Sequence, residues 1–181
     1  MNRYIQKLIK EQFNITDIDF DDTSDYDVNI FNKSIFDPYK IYDKILNFNA
    51  DYNMPTAEEI NFMSNLSPAV APKNKDELRR IAIYYSQYNK DSSMNWVDVS
   101  CFTDISYIFS RTNYNGDISM WDVSNVTDMS YMFHYASFNK NLSEWDVSKA
   151  EDMSYMFADS CFNGNISEWD VSSVLNMHGM F

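Results

Sequence analysis

The sequence predicts an α+β protein: a helical N-terminal region followed by a short solenoid of short parallel strands and helical or 3₁₀ turns. Two observations carry that expectation. One phrase occurs four times at a spacing of 24 residues, as Val97-Asp98-Val99-Ser100, Trp121-Asp122-Val123-Ser124, Trp145-Asp146-Val147-Ser148 and Trp169-Asp170-Val171-Ser172. A fixed period between about 20 and 50 residues marks stacked units, each too small to bury its own apolar face and completed by its neighbours. Before the repeats, apolar residues recur instead at helical spacing. The resulting division is a helical domain over 1–73, a capping helix over 74–92, and about three and a half repeats over 93–181.

The N-terminal elements follow from local signals. Tyr4, Ile5, Leu8, Ile9 and Phe13 share one face of an amphipathic docking helix with lysines opposite. Ile18 and Phe20 alternate with aspartates, as a short strand or an extended loop. Asp37-Pro38 starts a second helix, because an acid caps it and a proline at the first helical position gives up no useful N–H. Ile41, Tyr42, Ile45 and Leu46 form its apolar stripe. Thr56 and Glu59 spell a capping box for a third helix carrying Ile60, Met63 and Leu66, which stops before Pro68. Asn74 caps a fourth helix, with Leu78, Ile81, Ala82 and Tyr85 on one face and Arg79 and Arg80 on the other. Its position just before the first repeat assigns it as the cap that covers the open end of the stack.

Within one repeat, Trp121 and Val123 fall on the same side of a strand and point inward, whereas Asp122 and Ser124 point out. Val126, Met129, Met132 and Phe133 then follow at spacings of three and four, as a helical turn would require. Asp104, Asp128, Asp152 and Asn176 stand directly before that turn and read as N-caps. Asn115, Asn139 and Asn163 form an asparagine ladder that satisfies turn backbone groups. Gly116 and Gly164 align with Lys140, so a positive φ is not compulsory there.

Composition bounds the function. The 181 residues are 45% hydrophobic with only three glycines and four prolines, a recipe for ordered packing. Net charge is −13, and residues 93–181 set twelve carboxylates against Arg111, Lys140 and Lys149, a net of −9. Such a surface repels phosphate backbones, which disfavours nucleic acid as a partner. Residues 1–10 carry no uninterrupted apolar core, and no run reaches membrane-spanning length. The expected location is therefore cytoplasmic or virion-associated, with no membrane partner. Cys101 and Cys161 occupy unrelated repeat positions and read as free thiols. His134 and His178 likewise sit in unrelated places, no catalytic or metal motif appears, and no cofactor or metal is expected.

The run Phe-Asn-x-x-Ile-Ser-x-Trp-Asp-Val-Ser-x-Val-x-x-Met-x-x-Met-Phe, seen at 114–133, 138–157 and 162–181, resembles the BspA-like leucine-rich repeat proteins. The Lys-Asp-Glu-Leu run at 75–78 is similar to the lead-in often found before such repeats. The resemblance implies a right-handed, leucine-rich-repeat-like solenoid typical of surface, adhesion or host-interaction proteins of bacteria, mycoplasmas and gut phages. The first repeat departs from the pattern, with Trp96 one residue early, Phe102 for the corner valine and Ile108 for the first methionine.

The expected function is a non-catalytic protein–protein interaction module, of a gut bacterium or its phage, that meets a protein partner on its strand face. That face carries Asp98, Asp122, Asp146 and Asp170, with Ser119, Ser143 and Ser167. Carboxylates on adjacent strands would lie roughly 5 Å apart and repel by about 1 kcal/mol even in bulk water. Hydrogen bonds from nearby N–H groups and the following serines, or a bound cation or basic partner, must offset this. A second surface is the exposed coil end, Trp169, Val171, Val174, Met177 and Phe181, expected to be covered either by a further coil of a longer array or by self-association. The alternatives are a structural subunit of a larger assembly such as a phage particle, and an acidic inhibitor that mimics nucleic acid.

Overall fold

Each helix begins where a short polar side chain can take the N–H groups that a helix start leaves free. The computed structural model describes residues 37–48, 54–66 and 70–181, all within one compact unit, Asp37–Phe181. The helix expected from Tyr4 to Phe13 and the segment around Ile18 lie outside the described residues. In α1 (Pro38–Leu46) the Asp37 carboxylate accepts the N–H groups of Tyr39 and Lys40 at 3.0 and 3.4 Å, and Pro38 opens the first turn. In α2 (Ala57–Ser64) the Thr56 hydroxyl accepts the Glu59 N–H at 3.1 Å while the Glu59 carboxylate accepts the Thr56 N–H at 2.8 Å. In α3 (Lys75–Tyr88) Asn74 accepts the Glu77 N–H at 2.9 Å. The buried faces are those the spacing predicts: Ile41, Tyr42, Ile45 and Leu46 from α1, Ile60 and Met63 from α2, Leu78, Ile81, Ala82 and Tyr85 from α3, with Tyr84 added. Each large side chain so buried is worth about 1.5–3 kcal/mol. Tyr42 donates its hydroxyl to Glu77 at 2.8 Å, and Lys44 pairs with Glu59 at 2.6 Å, fastening α1 to both other helices.

The α+β expectation is overturned by the repeats. Among the described residues there are three helices and no strand or sheet. The pairing among them consists of single parallel bridges, Asp104 to Asp128, Asp128 to Asp152, Asp152 to Asn176, and Val70 to Val97. The physical reason is that turns interrupt the chain before a strand can extend. Around the phrase, Trp121 N–H returns to the Ile118 carbonyl at 3.1 Å, and Val126 N–H returns to Val123 at 2.9 Å. Trp121 and Val123 still point inward, but from a chain that turns every few residues.

The expected helical or 3₁₀ turn is also replaced. Asp104, Asp128, Asp152 and Asn176 accept the N–H two residues on, at 2.7–3.1 Å, so they do cap the segment behind them. That segment is a chain of overlapping four-residue turns in which Tyr107, Arg111, Tyr131, Tyr135, Tyr155 and Asp159 take φ values of 52–63°. This left-handed residue at every fourth position is incompatible with helix and strand alike.

These turns stack. Ile105, Tyr107, Phe109 and Arg111 donate their N–H groups to the carbonyls of Asp128, Ser130, Met132 and His134 at 2.8–3.1 Å. Met129, Tyr131, Phe133 and Tyr135 repeat the pattern onto Asp152, Ser154, Met156 and Ala158. Met153, Tyr155 and Phe157 repeat it onto Asn176, His178 and Met180. The bonds that enter this segment run in reverse, as from Asp128 N–H to Thr103 and from Asp152 N–H to Thr127, whereas every bond within it runs the same way, its carbonyls facing the N-terminal side. There α3 meets them: Arg79 donates to the Ile108 and Ser110 carbonyls at 2.5 and 2.8 Å, supplying the donors that a preceding coil would have supplied. Lys75 reaches the Asp104 carboxylate and the Ser106 hydroxyl, both at 2.5 Å.

Three aromatic files run along the stack, buried through its middle coils. Phe109, Phe133, Phe157 and Phe181 stack at 5.5–5.6 Å, Tyr114, Phe138 and Phe162 at 6.4 Å, and Trp121 on Trp145 at 6.5 Å. Each buried indole N–H is satisfied by a carbonyl of the previous coil, Trp121 to Met94, Trp145 to Ile118 and Trp169 to Leu142, at 2.9–3.2 Å. Trp96 of the irregular first repeat donates instead to the Tyr85 hydroxyl of α3 at 3.0 Å. The asparagine ladder forms, with Asn115 accepting from Asn139 and Asn139 from Asn163, each at 2.8 Å. Gly116 takes no positive φ, yet a Cβ there would stand 2.0 Å from the Ser92 carbonyl oxygen.

Candidate interaction surfaces

The phrase aspartates owe their geometry to the turn they start. Asp98, Asp122, Asp146 and Asp170 each accept the N–H of the serine two residues on at 3.0–3.1 Å. Ser100 and Ser124 add their hydroxyls to the same oxygen at 2.7 Å. Serine hydrogen bonds, side chain then backbone, hold the Asp146 and Asp170 carboxyls below the ordinary carboxylate range. The carboxylates of Asp122, Asp146 and Asp170 are exposed, and Asp98 is half-buried. The mutual repulsion of this row is thus offset within each coil.

Ser119, Ser143 and Ser167 belong to a different turn. Their N–H groups bond to Asp117, Asn141 and Asn165 at 2.9–3.0 Å, and among the described residues no hydrogen bond joins them to the phrase aspartates. Charge relief between coils is scarce. Of the twelve carboxylates in 93–181, only Asp104 has an ion-pair partner among the described residues, and that partner, Lys75, comes from α3. Cys101 and Cys161 are free and exposed. Among the described residues no three His, Cys, Asp or Glu side chains converge where a metal could sit.

At the last coil Trp169 is buried and Val174 half-buried, whereas Val171, Met177 and Phe181 are exposed. Leu175, 84% exposed, extends this apolar surface. It stands where earlier coils carry Thr127 and Glu151, so an apolar residue in an otherwise polar row was the available signal.

The structure assembles a further surface that the apolar spacing does not single out. Tyr107, Tyr131 and Tyr155 stack one coil above the next with ring centroids 4.7 Å apart. His134 meets the Tyr131 ring edge-on at 5.2 Å and the Tyr135 ring at 4.5 Å, and Arg111 lies 5.0 Å over Tyr135. Tyr107 and Tyr135 are 48% and 52% exposed. All four tyrosines sit at the left-handed positions, which cost an L-residue about 1–2 kcal/mol each. Ring stacking returns about 0.5–1.5 kcal/mol per pair. The fourth copy of the Tyr107 position is Gly179, with φ of 60°, and this glycine is the one local hint that the row is left-handed.

Burial, with a smaller contribution from Tyr107, Tyr155 and Asp152, raises the Tyr131 phenol above its ordinary value. Asp104 and Asp152 stand three residues before Tyr107 and Tyr155. Burial pushes both carboxyls up, but bonds from Lys75 and Ser106 to the first, and from Ser154 and Asn176 to the second, leave them low.

No described helix is long and apolar enough to cross a membrane. No curated protein and no solved structure matches the chain. A family model described as "Mycoplasma protein of unknown function, DUF285" matches residues 78–181, taking in most of α3 together with every repeat. With more than half of its length matched, the chain belongs to that family.

Proposed function

We propose that the chain is a non-catalytic protein–protein interaction module that receives a basic surface of a protein partner. One observation carries this reading: the repeats hold twelve carboxylates, four of them in the Asp98 to Asp170 row, against three cations, with a single ion pair among the described residues, and that pair is made by α3. Their turns and ladders fix the backbone, so little ordering is needed when a partner arrives. Unpaired charge of one sign on a rigid surface steers an oppositely charged partner and selects against acidic ones. The likeness of the repeats to BspA-like proteins, whose known roles are adhesion and host interaction, supports the same reading.

The test is cross-linking of the full chain in its native source, with identification of the partner by mass spectrometry and measurement of its affinity for purified protein. The expected outcome is a protein joined to residues 93–181 whose binding weakens when Asp122, Asp146 and Asp170 are all changed to Asn. Undiminished binding by that triple variant to a partner joined elsewhere would contradict the reading.

A further inference from the structure

The tyrosine face presents bulky side chains from backbone positions that suit glycine. A core residue could justify that cost by burial, but Tyr107 and Tyr135 are about half exposed. Stacking accounts for Tyr131, which has a ring on each side, whereas Tyr107 has a neighbour on one face alone among the described residues. Tyr135 belongs to no stack of tyrosines among the described residues. Its ring carries the guanidinium of Arg111 instead. Asp128 and Asp152 stand three residues before Tyr131 and Tyr155, Asp152 is near enough to act on the Tyr131 phenol, and neither carboxylate has an ion-pair partner among the described residues.

We propose, as an extension that rests on the acidic interaction function, that Tyr107, Tyr131, Tyr135 and Tyr155, with Asp128 and Asp152, form the docking face for an arginine-bearing segment of the partner. The chemistry selects arginine over lysine. A planar guanidinium stacks on an aromatic face and pairs with a carboxylate in a fork, whereas an ammonium is a compact, strongly hydrated charge. Arg111 over Tyr135 already displays the contact within the molecule. The exposed parts of the Tyr107 and Tyr135 rings are the surface left for a second chain. Coils 4.7 Å apart at the tyrosines set a footprint of roughly three residues of extended chain across the row.

Glycine gives a clean test, because it suits the left-handed backbone and deletes the ring. Fluorescein-labelled nona-arginine and nona-lysine peptides would be titrated into the full chain, into the double variant Tyr107→Gly/Tyr135→Gly, and into Asp122→Asn/Asp146→Asn, with a thermal melt of each. The expected result is tighter binding of the arginine peptide by about fivefold or more, in keeping with guanidinium–ring contacts. That preference should vanish in the glycine variant, whose melting temperature should hold or rise. The Asp122/Asp146 variant should weaken both peptides alike and keep the preference. Equal binding of the two peptides by the unaltered chain, or an arginine preference that survives the glycine changes, would overturn this assignment while leaving the acidic interaction reading standing. Absence of binding by either peptide at low salt would overturn both.

Discussion

The helices and the repeats are stabilised by different kinds of interaction, although both end in a buried core. In α1, α2 and α3 the decisive contacts lie within four residues of one another: Asp37 on Tyr39, Thr56 with Glu59, Asn74 on Glu77. In the repeats they lie a full coil apart, as with Phe109 donating to Met132 or Asn139 to Asn115. A helix can therefore be weakened one end at a time. A coil cannot be altered without disturbing the coil on each side.

The sharpest way to probe that contrast is Phe133→Ala. Phe133 is fully buried and stacks on both Phe109 and Phe157, so its removal opens a cavity shared by three coils. The expected loss is about 3–5 kcal/mol by chemical denaturation. Arg79→Met comes next, since it leaves the Ile108 and Ser110 carbonyls without donors where the two regions meet. About 1.5–3 kcal/mol should be lost, with faster amide exchange in the first coil than in the third. Thr56→Ala removes half of a capping box and should cost about 1 kcal/mol, with amide exchange in the repeats unchanged.

Acid should act on the repeats most gently of all. Asp146 and Asp170 have folded carboxyls held below the ordinary 3.8 by Ser148 and Ser172. Their contribution is complete above that value and is lost as pH falls through the lower folded one. Melts between about pH 7 and pH 2 should show a shallower decline for Asp146→Asn/Asp170→Asn, because asparagine keeps the turn bond without the charge.

The contrast also explains which features were legible in the sequence. The caps at Asp37, Thr56 and Asn74 are local and read directly. The 24-residue period and the inward residues Trp121, Val123, Met129 and Phe133 read equally well, because periodicity reports which side chains are buried. Backbone conformation was the part that misled. An inward Trp-x-Val fits a strand, but turns closing at Ile118–Trp121 and Val123–Val126 bury the same two residues. Tyr131 itself does not announce a left-handed backbone, since glycine or asparagine is the usual occupant, and only Gly179 at the same repeat position hints at it. The exposed aspartates were visible as a candidate row, but the tyrosine face required knowing that Tyr131, His134 and Tyr135 converge.

The central structural claim is that the left-handed turns of successive coils stack on one another, joined by amide bonds that run from the earlier coil to the later. Backbone NMR of the isotopically labelled chain tests it most directly, through HN–Hα couplings combined with amide exchange. The expected result is couplings characteristic of positive φ at Tyr107, Tyr131 and Tyr155, with slow exchange at Tyr107, Phe109, Tyr131 and Phe133. Large couplings typical of extended chain through residues 104–111 and 128–135 would contradict it and restore the parallel strands.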